Sequence, residues 1–92
     1  MKDNKEILSL THQILNEFKQ IQGGFQITFS NGWTVSVQLE RTYEEGEAIA
    51  EIAAFKGDGP DKPWHYFEEG DFVKRWCTPD EVLDFMNLIK EK

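Results

Sequence analysis

The stretch that decides the fold is FQITFSNGWTVSVQL, residues 25–39. Apolar and polar side chains alternate strictly on both sides of its centre, which is the pattern of half-buried β-strands. A two-residue Asn-Gly turn would place the two apolar sets on opposite faces of the hairpin. A three-residue loop over residues 30–32 pairs Phe29 with Trp33 and aligns both sets. We therefore predict this loop, with Gly32 in the left-handed conformation of a bulge.

Further strands are predicted after this hairpin, which gives an antiparallel β-meander of about four to five strands over residues 25–76. Residues 47–56 carry one apolar strand face, although their alanine content also suits a helix, and we interpret them as a strand. Residues 57–63 contain two glycines, two prolines and two aspartates, which indicates a solvent-exposed loop. Two short aromatic strands, residues 64–67 and 72–76, then flank a turn.

A helix is predicted at each end of the chain. Over residues 3–22 the apolar side chains recur at spacings of three and four and two glycines follow, which is typical of an amphipathic helix and its end. Over residues 79–91, Thr78 can cap the helix, Pro79 suits its first position and Glu81 can complete a capping box. The stripe that this second helix buries is Val82, Phe85, Met86 and Ile89. The prediction is a single α+β domain spanning the whole chain.

The composition is that of a folded protein outside the membrane. The chain is 39% hydrophobic and 29% charged, which is too apolar for disorder and too polar for a membrane protein. The start of the chain lacks the apolar stretch of a signal peptide, and no segment reaches the roughly 20 apolar residues that cross a bilayer. Cys77 is the only cysteine, which excludes an internal disulfide and favours a reducing compartment. We therefore expect a cytoplasmic protein.

The net charge of −7 arises entirely in residues 40–71, which carry ten acidic and three basic residues, while both flanking portions are neutral. A field of this sign repels nucleic acid and attracts basic partners. We therefore predict contact with a basic protein, and no direct contact with nucleic acid. The acidic residues predicted to form this partner-binding surface are Glu44, Glu45, Glu47, Asp58, Asp61, Glu68, Glu69 and Asp71.

Aromatic residues next to the loops are candidates for exposed anchors. Most rings are expected in the core, but a sheet that buries alternate residues leaves some on its outer face, where Trp and Tyr anchor partners or stack on flat ligands. Tyr43, Trp64 and Tyr66 adjoin loops and are the predicted anchors. Arg41 and Arg75 are alternative ligand-binding residues, because beside these rings they would help to hold a small flat molecule between adjacent subunits.

The patterns of catalytic and metal-binding residues are incomplete in this sequence. Cys77 with His12 or His65 is the only set of nucleophile and base, but no orienting acid accompanies it, so we interpret Cys77 as a buried structural residue. His65 lies near acidic residues whose spacing matches no known set of metal ligands. No phosphate-binding loop occurs. We therefore expect a non-catalytic protein without a cofactor or a metal.

A further feature is the order of three short segments: FSNGWTVSVQ at 29–38, AEIA at 50–53 and WCTPDEV at 76–82. In this order they resemble small bacteriophage accessory proteins, over roughly residues 25–89. The resemblance attaches no catalytic or binding residue to the pattern. It implies a phage or prophage origin, where small acidic proteins often bind and block host defence factors or host enzymes in the host cytoplasm.

The function predicted on these grounds is that of a small acidic binding protein, a phage-encoded inhibitor of a host defence factor or of a nucleic-acid enzyme. Two alternatives stay open. One is an oligomer that sequesters a small, nucleotide-like signalling molecule, and the other is a structural or different role in the phage.

Overall fold

The computed structural model describes residues 17–41, 48–68 and 70–92. These residues form a five-stranded antiparallel sheet, in which each strand lies beside the next one along the chain, and a C-terminal helix. The strands β1 to β5 are Glu17–Ile21, Gly24–Thr28, Trp33–Arg41, Ala48–Lys56 and Lys74–Cys77, and the helix α1 is Pro79–Lys90. No helix within the described residues is long and apolar enough to span a membrane.

The predicted fold with a helix on either side of the meander is wrong. Residues 17–21, the last part of the helix predicted over 3–22, form β1 and pair with β2. Gly23 has a φ of +79°, a conformation with which glycine can end a helix or close a hairpin, and here it closes the β1–β2 hairpin. Residues 1–16 lie outside the described residues. The described chain is mostly β, with its helix at the C-terminal end.

The β2–β3 hairpin has the predicted three-residue loop. The Phe29 N–H donates to the Trp33 carbonyl at 2.9 Å, and the Gly32 N–H donates to the Phe29 carbonyl at 2.9 Å. Gly32 has a φ of +89°, as a left-handed position requires. The register places Ile27 opposite Val35, so the apolar sets of both strands share one face. This prediction is confirmed.

The later strands follow the prediction only in part. Residues 48–56 form β4 and pair with β3 along its whole length, which confirms a strand rather than a helix. Trp64, in contrast, makes only an isolated bridge with Phe55. The last strand begins at Lys74 and contains a bulge, because Cys77 pairs with Ala50 while Lys74 pairs with Ile52.

Helix α1 packs against β3, β4 and β5 on one side of the sheet, which we call the inner face. Val35, Ile52 and Ala54 point to this face and are at most 2% exposed. From the helix, Phe85 and Ile89 are buried against them, and Val82 and Met86 are half-buried at the margin of the core. The predicted stripe of the C-terminal helix is confirmed.

Hydrogen bonds fix both ends of α1. At its start, Thr78 accepts from the Glu81 N–H at 3.2 Å and the Glu81 carboxylate accepts from the Thr78 N–H at 2.8 Å, which is the predicted capping box. At its end, the Asn31 amide donates to the carbonyls of Ile89 at 2.9 Å and Lys90 at 3.2 Å. Carbonyls in the last turn of a helix lack intrahelical partners. Asn31 therefore ties the β2–β3 hairpin to the end of the helix.

Candidate binding surface

The candidate surface lies along the edge of β4 that faces away from β3. Two separate segments pair with this edge. The His65 N–H donates to the Ala54 carbonyl at 2.9 Å and the Lys56 N–H donates to the Pro63 carbonyl at 3.0 Å, while β5 pairs further along. Between these segments the chain makes a tight turn after Phe67, whose N–H donates to the Asp71 carbonyl and whose carbonyl accepts from the Gly70 N–H, both at 2.9 Å. Aromatic residues before and after this turn are thereby brought together.

Four aromatic side chains form a continuous series of ring contacts there. The ring centroids lie 5.0 Å apart for Phe55 and Trp64, 6.4 Å for Trp64 and Phe72, and 5.2 Å for Tyr66 and Phe72. Trp64 is 41% exposed, Phe72 48% and Tyr66 61%. Contiguous exposed rings are typical of interaction sites, because each offers a large apolar area to a partner. We call Phe55, Trp64, Tyr66 and Phe72 the aromatic edge.

A lysine from the neighbouring loop covers part of the aromatic edge. The Lys62 Nζ atom lies 4.5 Å from the ring centroid of Phe55 and 5.5 Å from that of Trp64. Ammonium groups at this distance are attracted to the negative faces of aromatic rings. The ring faces of the aromatic edge are therefore arranged so that they can hold a cation.

The side of the sheet opposite α1, the outer face, forms a shallow concavity of about 410 Å³ beside the aromatic edge. Phe55 and Trp64 line one side of it. Its polar lining residues are Gln26, Ser36, Gln38 and Glu51. The Glu51 carboxylate accepts a hydrogen bond from the Arg75 Nε atom at 2.7 Å, so the predicted ligand-binding Arg75 is already ion-paired within the chain.

The described acidic residues of the predicted surface lie on the two loops that adjoin the aromatic edge. Asp58 and Asp61 lie in the loop before Trp64, and Glu68 and Asp71 lie in the turn before Phe72. All four carboxylates are exposed. The remaining predicted residues, Glu44, Glu45, Glu47 and Glu69, lie outside the described residues. The structure thus brings the four described carboxylates to two loops that each end at an exposed ring, Trp64 in the first and Phe72 in the second.

Of the predicted anchors, Trp64 and Tyr66 are exposed as expected, while Tyr43 lies outside the described residues. The side chain of Arg41, predicted as an alternative ligand-binding residue, also lies outside them. Sequence reasoning missed the exposure of Phe72 and Trp76, which are 48% and 72% exposed. Trp76 lies within the β-bulge, between the paired residues Lys74 and Cys77, and has a φ of +63°, which is rare for a bulky side chain. One signal in the sequence could have indicated that the Trp76 ring is exposed. Trp76 directly precedes Cys77, which was interpreted as buried, and neighbouring side chains of a strand point to opposite faces of the sheet.

A second groove, of about 680 Å³, lies on the helix side of the aromatic edge and shares Tyr66 with it. The charged residues that line it are Glu68, Lys74, Glu81 and Asp84. His65 also lines this groove, with its ring 4.7 Å from that of Phe67 and 5.3 Å from that of Phe85. Burial lowers the pKa of His65, and the nearby positive charge of Lys92 lowers it further, so the imidazole is neutral at pH 7.

The chemistry of these residues suits binding. Cys77 is 4% exposed, as interpreted from the sequence, and its thiol lies 3.7 Å from the Lys74 carbonyl. Within residues 17–41, 48–68 and 70–92, no group of three or more His, Cys, Asp or Glu side chains is arranged to hold a metal ion. His12 lies outside the described residues. What the described surface offers to a partner is exposed aromatic area, carboxylates and a polar concavity.

Comparison of this chain with models of protein families, with curated proteins and with solved structures gives no significant match.

Proposed function

We propose that this protein is a non-catalytic binding protein and that its aromatic edge is the centre of its binding surface. The observation that carries this proposal is the contiguity of Trp64, Phe72 and Tyr66, which touch one another in series and are 41–61% exposed. Tryptophan and tyrosine at the centre of an interface account for a large part of its binding energy, since they bury much apolar area with few rotatable bonds.

The partner that this surface suits is a basic protein. Residues 57–71 carry five acidic residues and one lysine, and the described carboxylates among them are exposed. Charges around the rim of an interface mainly accelerate association and select the sign of the partner, whereas the buried rings slow dissociation. The position of Lys62 over Phe55 and Trp64 supports a partner that places lysine or arginine side chains on these rings.

The proposed biological role is that of a phage-encoded inhibitor of a host defence factor or nucleic-acid enzyme. The carboxylates on the two loops would occupy a basic groove that otherwise binds phosphate groups. The acidity of the chain supports this role, because a protein of net charge −7 meets such a groove with attraction and meets nucleic acid with repulsion.

A second candidate function is the sequestration of a small flat molecule in the concavity of the outer face. The volume of about 410 Å³ and the presence of Trp64 at its side favour it. The ion pair between Arg75 and Glu51 at 2.7 Å opposes it for an anionic ligand, since that arginine already has a carboxylate partner. A small-molecule binder would keep its ligand at high salt and would not need the exposed ring of Tyr66.

Affinity capture from the cytoplasm of a bacterial host tests the leading proposal. The wild-type chain would be compared with a Tyr66→Ala, Phe72→Ala double variant and with Leu83→Ala, an equally exposed apolar residue of α1 that serves as the matched control. We expect the double variant, but not the control, to lose a basic partner, and we expect capture to weaken between about 0.05 M and 0.5 M salt. Retention of the same partner by the double variant would contradict the proposal.

A further inference from the structure

The two edge strands of the described sheet differ in how they are protected against pairing with another chain. The β5 edge is short, four residues, and carries the bulge together with the positive φ of Trp76. Bulges and short edge strands are devices that prevent pairing with a further strand. The β1 edge has no bulge, because all five of its residues pair with β2 in one unbroken register.

The direction of the backbone groups on β1 follows from the hydrogen bonds of the neighbouring hairpin. The Phe29 N–H donates to the Trp33 carbonyl, so the odd-numbered residues of β2 bond to β3 and its even-numbered residues bond to β1. The partners of those even-numbered residues include Glu17 and Lys19. The N–H and C=O groups of Phe18, which lies between them, therefore point away from the sheet, as do those of Gln20.

The side chain of Phe18 adds an exposed apolar group to this edge. It lies on the inner face, opposite Ile27 in the register, and is 78% exposed, the largest value among the exposed large hydrophobic residues of the described chain. No strand of the described residues pairs with these outward groups. An exposed apolar residue beside such backbone groups is the arrangement to which another strand adds.

A second copy of this chain can add its β1 antiparallel to this edge in three registers that pair Phe18 or Gln20 with Phe18 or Gln20 of the second copy. Pairing Phe18 with Gln20 of the second copy places Lys19 opposite Lys19, and like charges directly opposite one another are destabilising. Pairing Phe18 with Phe18 instead places each Glu17 opposite a Lys19 and the two rings side by side. Pairing Gln20 with Gln20 places Lys19 opposite the uncharged Ile21. Of the three registers, only the one centred on Phe18 therefore pairs opposite charges across the interface.

We propose that the protein forms a two-fold symmetric homodimer through β1, centred on Phe18, in which the two five-stranded sheets become one continuous sheet. Such an interface closes on itself, because the same strand serves both copies, and it leaves the protected β5 edges at the two ends. The aromatic edge lies on the far side of β4 from β1, so the dimer presents two open binding surfaces. The inference is independent of the proposed function.

Sedimentation of the full chain over a concentration series, up to about 1 mM, tests this dimer. Glu17→Lys and Lys19→Glu should each weaken association by roughly tenfold or more, because each turns two attractive cross-strand pairs into repulsive ones. The double variant with both changes should restore it, because the swapped charges are again complementary. Within one copy, Glu17 and Lys19 lie opposite the uncharged Thr28 and Gln26, so folding should change little, which circular dichroism would verify.

Phe18→Pro provides a second test, because it removes an N–H that points outward and leaves the bonds between β1 and β2 in place. We expect this variant to be folded and monomeric. A wild-type chain that stays monomeric at every concentration would overturn the proposal. So would a dimer that none of these variants weakens, since it would have to form through another surface.

Discussion

The ring of Trp64 lies 5.0 Å from the ring of Phe55. The same two residues form the isolated backbone bridge that joins the segment before the tight turn to β4. Trp64 therefore belongs both to the fold and to the exposed surface. Tyr66, two residues later, contacts Phe72 with its ring but is 61% exposed, so it contributes mainly to the surface. Substitution of Trp64 should therefore affect both stability and binding, whereas substitution of Tyr66 should affect mainly binding.

Trp64→Ala should lower the free energy of unfolding by about 2 kcal/mol, because it removes the buried part of a large ring and a ring–ring contact. Tyr66→Ala should change it by less than about 0.5 kcal/mol. Both should weaken partner capture. Urea denaturation measures the stabilities, and equal losses in the two variants would show that Tyr66 is as much a part of the core as Trp64.

Trp76→Gly should raise the free energy of unfolding by about 1 kcal/mol relative to Trp76→Ala. The φ of +63° at this position is unfavourable for any residue with a Cβ atom and is accessible to glycine. The ring is 72% exposed, so its removal loses little buried area. Thermal or urea unfolding of the two variants would decide, and an alanine variant at least as stable as the glycine variant would contradict the expectation.

Asn31→Asp should be more destabilising than Asn31→Ala, by about 1 kcal/mol. Both changes remove the hydrogen bonds that the amide donates to the carbonyls of Ile89 and Lys90. The aspartate additionally places a negative charge at the negative end of the α1 dipole. Aspartate retains an oxygen that can accept from the Trp33 N–H, whereas alanine does not. If this hydrogen bond within the hairpin were the only important one, Asn31→Asp would be the milder change. Urea unfolding at pH 7 distinguishes the two orders.

Acid should destabilise this protein through His65. Burial lowers the pKa of this residue in the folded state, so the unfolded chain binds the proton first as the pH falls. The stabilisation is therefore complete above pH about 6.5 and decreases as the pH drops through the window between the unfolded and the folded pKa. His65→Phe keeps the ring contacts with Phe67 and Phe85 and should flatten the pH dependence of the urea midpoint between about pH 7.5 and 5.5. An unchanged slope in this variant would exclude His65 as its source.

Features set by local geometry were predictable from the sequence. The parity of Phe29 and Trp33 determined the loop length of the hairpin, and the Thr78–Glu81 capping box located the start of α1, because each depends on residues close together in the chain. The N-terminal prediction was wrong over β1 because Phe18 and Ile21 point to opposite faces of the sheet. Residues three apart lie on opposite faces of a strand but on one side of a helix, so two apolar residues at this spacing are typical of a helix.

The aromatic edge was less predictable, because it depends on where distant segments meet. The loop positions of Trp64 and Tyr66 indicated exposure, and both are exposed. The contact of Phe72 with both rings arises from the tight turn and from the pairing of residues 63–65 with β4. No spacing within the sequence encodes that arrangement. The role of the acidic residues as a partner surface stays a prediction.

Photo-crosslinking tests the central claim, that the aromatic edge is the partner-binding surface, most directly. A photoreactive phenylalanine derivative would replace Tyr66 in one variant and Leu83 on α1 in a second, since both positions are exposed to a similar extent, 61% and 57%. After irradiation in host cytoplasm, we predict a covalent adduct with a basic protein from position 66 and none from position 83. An adduct that forms from position 83 and not from position 66 would contradict the account.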